Sequence, residues 1–169
     1  RTAGPSGIAL TRQNIPVFER GEGAASGDEF ASAENAVKGA YVLAEAANGE
    51  PDVLLIATGS EVQLAVQARE TLAAEGIHAR VVSAPSLEWF DEQDEAYRES
   101  VLPSSVKARV SVEAGSALSC HGIVGDAGRS VAIEHFGASA DYKTLFQKFG
   151  ITAEAVVEAA RESLAAAQK

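Results

Sequence analysis

Methionine is absent from this 169-residue sequence, at position 1 as elsewhere, and tryptophan and cysteine occur once each. A chain that opens on Arg1 without an initiating residue reads as a piece of something longer, from proteolysis, truncation or a natural split subunit. The single thiol, Cys120, excludes an intrachain disulfide and fits a reducing cytoplasm. Aromatic residues make up only 6%, so the core must be built from Ala, Val, Leu and Ile. Basic residues are outnumbered 14 to 24, for a net charge of −10. Nucleic acid and anionic lipid need a dense basic footprint, so this surface argues against both as partners. No apolar run reaches membrane-spanning length, and the opening "RTAGPSGIAL" holds no signal-peptide core. Internal repeats and zinc-ligand spacings are also missing.

What is present is the composition of a packed domain, 46% apolar and 22% charged, with length for one ordinary domain and a tail. "GIAL" (7–10) has the apolar character of a strand inside a sheet, but its neighbours are not evident in the sequence. It ends in the polar Thr11-Arg12-Gln13-Asn14. The stretch "FERGEGAASGDEFASA" (18–33) has no apolar period and reads as a linker, with the domain boundary inside it.

Beyond it, strand and helix patterns alternate. "GAYVLAEAA" (39–47) fits a first strand, and "DVLLIATGS" (52–60) reads as a strand covered on both faces. A helix follows, with Ser60 as its N-cap, Glu61 in its first turn and Gly76 as a left-handed end. "IHARVVSAP" (77–85) completes a βαβ unit. One or two short helices occupy 86–103, "KARVSVEAG" (107–115) is a strand, and 116–126 is a loop with a helical turn. "SVAIEHFG" (130–137) is the last strand, before a short helix over "DYKTLFQKFG" and a terminal helix capped by Thr152. This alternation predicts an α/β fold, a three-layer α/β/α sandwich on a mostly parallel, five-stranded sheet.

Few residues carry a chemical signal. The turn "ATGSEV" (57–62) lies at a strand's carboxyl end, where free N–H groups can hold an anion, but a tight turn plus N-cap accounts for it as well. "GDAG" (125–128) lacks the downstream Asn that a metal-diphosphate site needs and reads as a turn. His78, His121 and His135 are scattered, and the adjacency of Cys120 and His121 does not make a nucleophile–base pair. Glu113 and Glu134 end separate strands and read as turn or surface carboxylates, with an acid–base pair as the rival. Arg12, just past a strand end, suits bidentate capture of a phosphate or carboxylate, although its spacing alone favours a surface arginine or a structural salt bridge.

In combination, "ALTRQNIPVFE", "DVLLIATGSEVQLAVQA", "ARVVSAPSLEWFDEQ", "ARVSVEAG", "IEHFGASA" and "LFQKFGITAEAVVEAA" resemble the C-terminal part of the transketolases, over nearly the whole chain. The resemblance implies that 1–15 end a pyrimidine-binding domain, 16–35 link, and 36–169 form the C-terminal domain, its first strand antiparallel. It implies a parent that moves a two-carbon ketol unit from ketose phosphate to aldose phosphate in the pentose phosphate pathway. By the same likeness Arg12 contacts the phosphate end of the sugar substrate. Thiamine diphosphate and Mg²⁺ belong to the full enzyme, a homodimer, with the catalytic residues upstream. This piece is therefore expected to bind no cofactor or metal, to hold no catalytic residue and to be inactive alone, with a structural, dimer-supporting role. Many relatives carry Trp where this chain has Cys120, a volume deficit if the site is buried, and a buried, unreactive thiol is expected. The rival readings are a free-standing anion- or nucleotide-binding regulatory module, the C-terminal domain of another thiamine-diphosphate enzyme, and a dimerisation module using helix 154–167.

Overall fold

The computed structural model describes residues 4, 5, 7–21 and 30–168. Five strands form one sheet: β1 (Tyr41–Ala44), β2 (Val53–Ala57), β3 (Ala79–Ser83), β4 (Arg109–Val112) and β5 (Arg129–Val131). Their spatial order is β1-β3-β2-β4-β5. β2 pairs in parallel with both β3 and β4, β5 pairs in parallel with β4, and β1 runs antiparallel to β3. The mostly parallel sheet and the antiparallel first strand are therefore as expected.

β2 is buried at every position because both of its faces are covered. Val53, Leu55 and Ala57 point into one core, which they share with α1 (Val62–Ala74) and α6 (Ala153–Ala167). Leu54 and Ile56 point into the other, with Phe90 of α2 (Leu87–Asp91) and Val101 of α3 (Glu95–Val101). A strand whose alternate side chains face two apolar layers must be apolar throughout, which is why "VLLIA" shows no polar alternation. The short α4 (His121–Val124) follows a 3-10 turn at Ala117–Cys120. α5 (Tyr142–Phe149) lays Phe146 and Phe149 on the first core.

Local signals set most helix ends. The side chains of Ser86, Asp94, Asp141 and Thr152 accept backbone N–H groups at the starts of α2, α3, α5 and α6. Gly76, at φ 79°, and Gly150, at φ 71°, end helices in the left-handed region. Ser60 is a correction, since it does not cap α1. A 3-10 turn at Gly59–Glu61 precedes the helix and takes in Ser60, whose hydroxyl donates to Glu61 Oε1 at 2.9 Å. The tighter turn carries the hydroxyl away from the helix's free N–H groups.

Residues 7–10 pair with no strand among the described residues, and Ile8 and Leu10 are each 83% exposed. Positions 22–29 of the stretch read as a linker lie outside the described residues. Its two ends are packed: Phe18 meets Phe30 with ring centroids 4.7 Å apart, and Phe30 and Ala31 are buried in the first core.

Candidate functional site

The side on which successive parallel strands are added switches at β2, whose successor β3 lies on one side while β4 lies on the other. In open α/β sheets ligands gather in the crevice above the carboxyl ends of strands at such a point. Here that crevice is a cleft of about 570 Å³, walled by Thr58, Ser86, Glu88, Glu113, Ser119 and Cys120 among others.

Its chemistry is acidic. Glu61, buried in the turn after β2, has its pKa raised, chiefly by burial and further by Glu113, against the lowering effect of the Ser60 hydroxyl. Glu113 follows β4 and accepts from Ser119 Oγ at 2.8 Å and from Cys120 Sγ at 3.7 Å. Glu134 accepts the backbone N–H of Ala117 at 2.7 Å. Glu113 and Glu134 thus brace the two ends of the segment 117–120 rather than forming an acid–base pair, in agreement with their reading as turn carboxylates. What sequence reading missed is that the charge of Glu113, on the cleft wall, bears on the buried Glu61. Both stand just past the ends of adjacent parallel strands, a signal visible only once β2 and β4 are known to be neighbours.

Cys120 is half-buried, a correction to the fully buried site expected, because it lines the open cleft instead of the closed core. A small side chain in place of a large one therefore widens a cleft here and leaves no sealed void. Burial raises the thiol's pKa, the Ser119 hydroxyl opposes this, and Glu113 adds to it.

His135 turns Nδ1 to Phe136 O at 2.8 Å and sets its ring edge-on to Phe149 at 4.7 Å. His78 Nδ1 is buried at the opposite end of the sheet with no partner among the described residues. The three histidines do not converge. "GDAG" is the turn expected, closed by Gly128 N–H on Gly125 O at 3.1 Å. Among the described residues no three His, Cys, Asp or Glu side chains are placed to hold a metal ion. These residues do not fit a Mg²⁺-diphosphate site, which needs several oxygen donors around the ion.

Arg12 lies apart from the cleft. It is exposed, and among the described residues its guanidinium has no hydrogen-bond or ion-pair partner. Beside it Gln13 holds a buried Nε2 without a partner among the described residues. Three residues on, Ile15 and Pro16 line a crevice together with Gly59 and Ser60 of the turn after the central strand β2.

The family described as Transketolase-like TK C-terminal domain matches residues 39–152. The chain is 52% identical over 165 residues to the transketolase of Mycobacterium leprae, covering 96% of this chain and 22% of that one. It is 49% identical over 164 residues to transketolase 1 of Escherichia coli, covering 97% and 23%. Among solved structures, transketolase from Leishmania mexicana superposes with a TM-score of 0.73 at 39% identity, over 80% of this chain and 19% of that one. A split gene transketolase described as an inactive beta4 tetramer gives a TM-score of 0.57 at 28% identity, over 75% and 42%. The chain thus spans about a fifth of the length of the full transketolases it matches. With its sheet order, its antiparallel first strand and this likeness along nearly its whole length, the chain belongs to the transketolase-like C-terminal domain family.

Proposed function

We propose that this chain is the C-terminal part of a cytoplasmic, homodimeric transketolase, whose parent transfers a two-carbon ketol unit from a ketose phosphate to an aldose phosphate. The observation that carries this is the 52% identity along 96% of the chain to a protein of which it makes up only 22%. On this reading residues 1–15 close the preceding pyrimidine-binding domain, 16–35 link, and 36–169 are the C-terminal domain. Ile8 and Leu10 then turn apolar side chains toward a sheet that belongs to the rest of the parent, which accounts for their exposure.

Thiamine diphosphate and Mg²⁺ would be held by the rest of the parent and would supply the electron-sink chemistry that ketol transfer needs. The part of this chain in the reaction is Arg12. Its unpaired guanidinium is suited to grip the substrate's terminal phosphate through paired N–H groups, and so to orient the sugar. The domain itself supports the dimer and is inactive alone. In keeping with that, the matching split gene relative is described as inactive. An anion- or nucleotide-binding module fits less well, because Glu88, Asp91 and Glu113 line the cleft where such a ligand would sit.

The test has two parts. The purified chain with thiamine diphosphate and Mg²⁺ is expected to show no ketol transfer, and measurable turnover overturns that part. In the full parent, Arg12→Ala is expected to raise KM for phosphorylated sugars about 10- to 100-fold, the loss of about 1.5–3 kcal/mol from a charged hydrogen bond. An unphosphorylated ketol donor should be little affected. Equal losses on both donors would sink the phosphate assignment.

A further inference from the structure

The segment that presents Arg12 has two unlike halves. Residues 7–12 are exposed, whereas farther on Phe18 is half-buried against the domain and Arg20, itself exposed, hydrogen-bonds to it. Ile15, Pro16, Phe18 and Arg20 form one wall of a crevice of about 260 Å³, and Tyr41 and Ser60 stand on the other.

Two contacts lock this arm. Arg20 Nη1 donates to Tyr41 Oη at 2.9 Å and to Ala31 O at 3.3 Å. Two residues earlier the Phe18 ring lies on buried Phe30. Alternate residues of an extended segment face the same side, so Phe18 and Arg20 grip the domain together while Val17 is 95% exposed. The backbone adds to the grip: Gly21 N–H donates to Phe30 O at 3.0 Å, and Ala31 N–H to Leu43 O of β1 at 2.9 Å. Tyr41, the first residue of β1, is itself buried, so the phenol is a fixed point. Pro16 holds its own φ within a narrow range, which stiffens the arm between the lock and its tip. From Ile15 to Arg12 is three residues, at most about 10 Å of extended chain. The lock therefore restricts where the guanidinium of Arg12 can go.

We infer that Arg20, held on Tyr41, is a positioning residue for sugar-phosphate recognition: it anchors the arm that carries Arg12. This rests on the reading of Arg12 as the phosphate contact. It gives the C-terminal domain a part in the reaction without touching substrate. Pre-placing a charged group lowers the ordering cost of binding, and a loosened arm loses that advantage.

The experiment uses the full-length parent with Arg12→Ala, Arg20→Ala, Tyr41→Phe and the double variant Arg12→Ala/Arg20→Ala. Tyr41→Phe keeps the buried ring and removes only the accepting hydroxyl, so it tests the lock without emptying the core. Arg20→Ala and Tyr41→Phe are expected to raise KM for a phosphorylated donor about 3- to 10-fold, with kcat within twofold and an unphosphorylated donor unchanged. Arg20→Lys should recover part of the loss. The double variant should lose no more than Arg12→Ala alone, since both act through one contact. Equal losses on the two donors, additive losses in the double variant, or no effect of Arg20→Ala and Tyr41→Phe beside a phosphate-selective Arg12→Ala would each overturn the inference. If Arg12→Ala itself shows no phosphate selectivity, the reading of Arg12 fails first, and the inference with it.

Discussion

Arg80, in β3, clasps Glu45, just past β1, with two guanidinium nitrogens, Nε to Oε1 at 2.8 Å and Nη2 to Oε2 at 2.9 Å. The third nitrogen, Nη1, donates to the carbonyls of Ser100 and Val101 at the end of α3. The backbone oxygen of Glu45 accepts in turn from Arg69 of α1 at 2.8 Å. Glu45, through its carboxylate to Arg80 and its backbone oxygen to Arg69, thus links the antiparallel edge strand to its neighbour and to α1, while Arg80 carries the link on to α3. The Arg80 side chain is 9% exposed and that of Glu45 29%, so the arginine depends on its partner more than the reverse.

Removing that partner alone should therefore be costly. Glu45→Gln keeps the shape and strands a buried guanidinium, for an expected loss of about 2–4 kcal/mol, the lower part reflecting the partial exposure of Glu45. Adding Arg80→Met removes the stranded charge and should recover part of that loss. Urea unfolding of the three variants beside the parent sequence measures both terms. A Glu45→Gln midpoint indistinguishable from the parent sequence would mean that the pair is solvated and incidental.

Gly39 sits at φ 86°, and a Cβ there would stand 2.3 Å from Phe90 N and 2.4 Å from Ser86 O. Its carbonyl also accepts the Ser86 N–H at 2.9 Å, so the turn before β1 is pressed directly on the start of α2. Gly39→Ala is expected to destabilise by about 3 kcal/mol or more, through strain and backbone displacement together. Gly49→Ala is the control, with a similar φ of 79° but open space around it, and should cost only about 1 kcal/mol. Comparable melting temperatures for the two variants would contradict the close approach.

The buried Glu61 sets a pH dependence. Its pKa is raised above the ordinary 4.5, chiefly by burial, so the folded chain holds this proton more tightly than the unfolded chain does. Stability from this group is fully present below the ordinary value and is lost as pH rises through the folded one. Glu61→Gln should therefore stabilise the chain at pH 7 and give little advantage near pH 4. Denaturation midpoints at the two pH values decide it, and an advantage that does not change with pH would count against charge burial as the cause.

Cys120 should react slowly. Burial and the nearby Glu113 raise its thiol pKa, despite the Ser119 hydroxyl, and thiolate is the reactive form. Alkylation at pH 8 is expected to run slower than that of a free thiol, with its pH midpoint above 9.0. Glu113→Gln removes a negative charge and an acceptor for the S–H, and should shift that midpoint down. Unchanged kinetics in the variant would show that Glu113 has no hold on the thiol.

Much of this chain was legible in its sequence because the deciding forces are local or periodic. The unbroken apolar run of β2 announced a strand covered on both faces, Thr152 marked a helix start by a hydroxyl able to accept a free N–H, and Gly76 marked a helix end because it lacks a Cβ. Arg12 could be singled out because polar donors follow an apolar run abruptly. Other features were not legible, since they depend on which segments become neighbours. Ser60 looked like a cap until the 3-10 turn redirected its hydroxyl to Glu61. Glu61 and Glu113 are 52 positions apart, and the charge of Glu113 reaches Glu61 only because β2 and β4 lie side by side. Arg20, inside an apparently featureless linker, found its acceptor on Tyr41 only when β1 joined the sheet edge. Pattern and propensity marked the helices, whose hydrogen bonds close within a few residues, and the strands, by their apolar runs. Packing alone decided which charges share a cleft and which arginine holds the arm, because those contacts span tens of residues and depend on strand order.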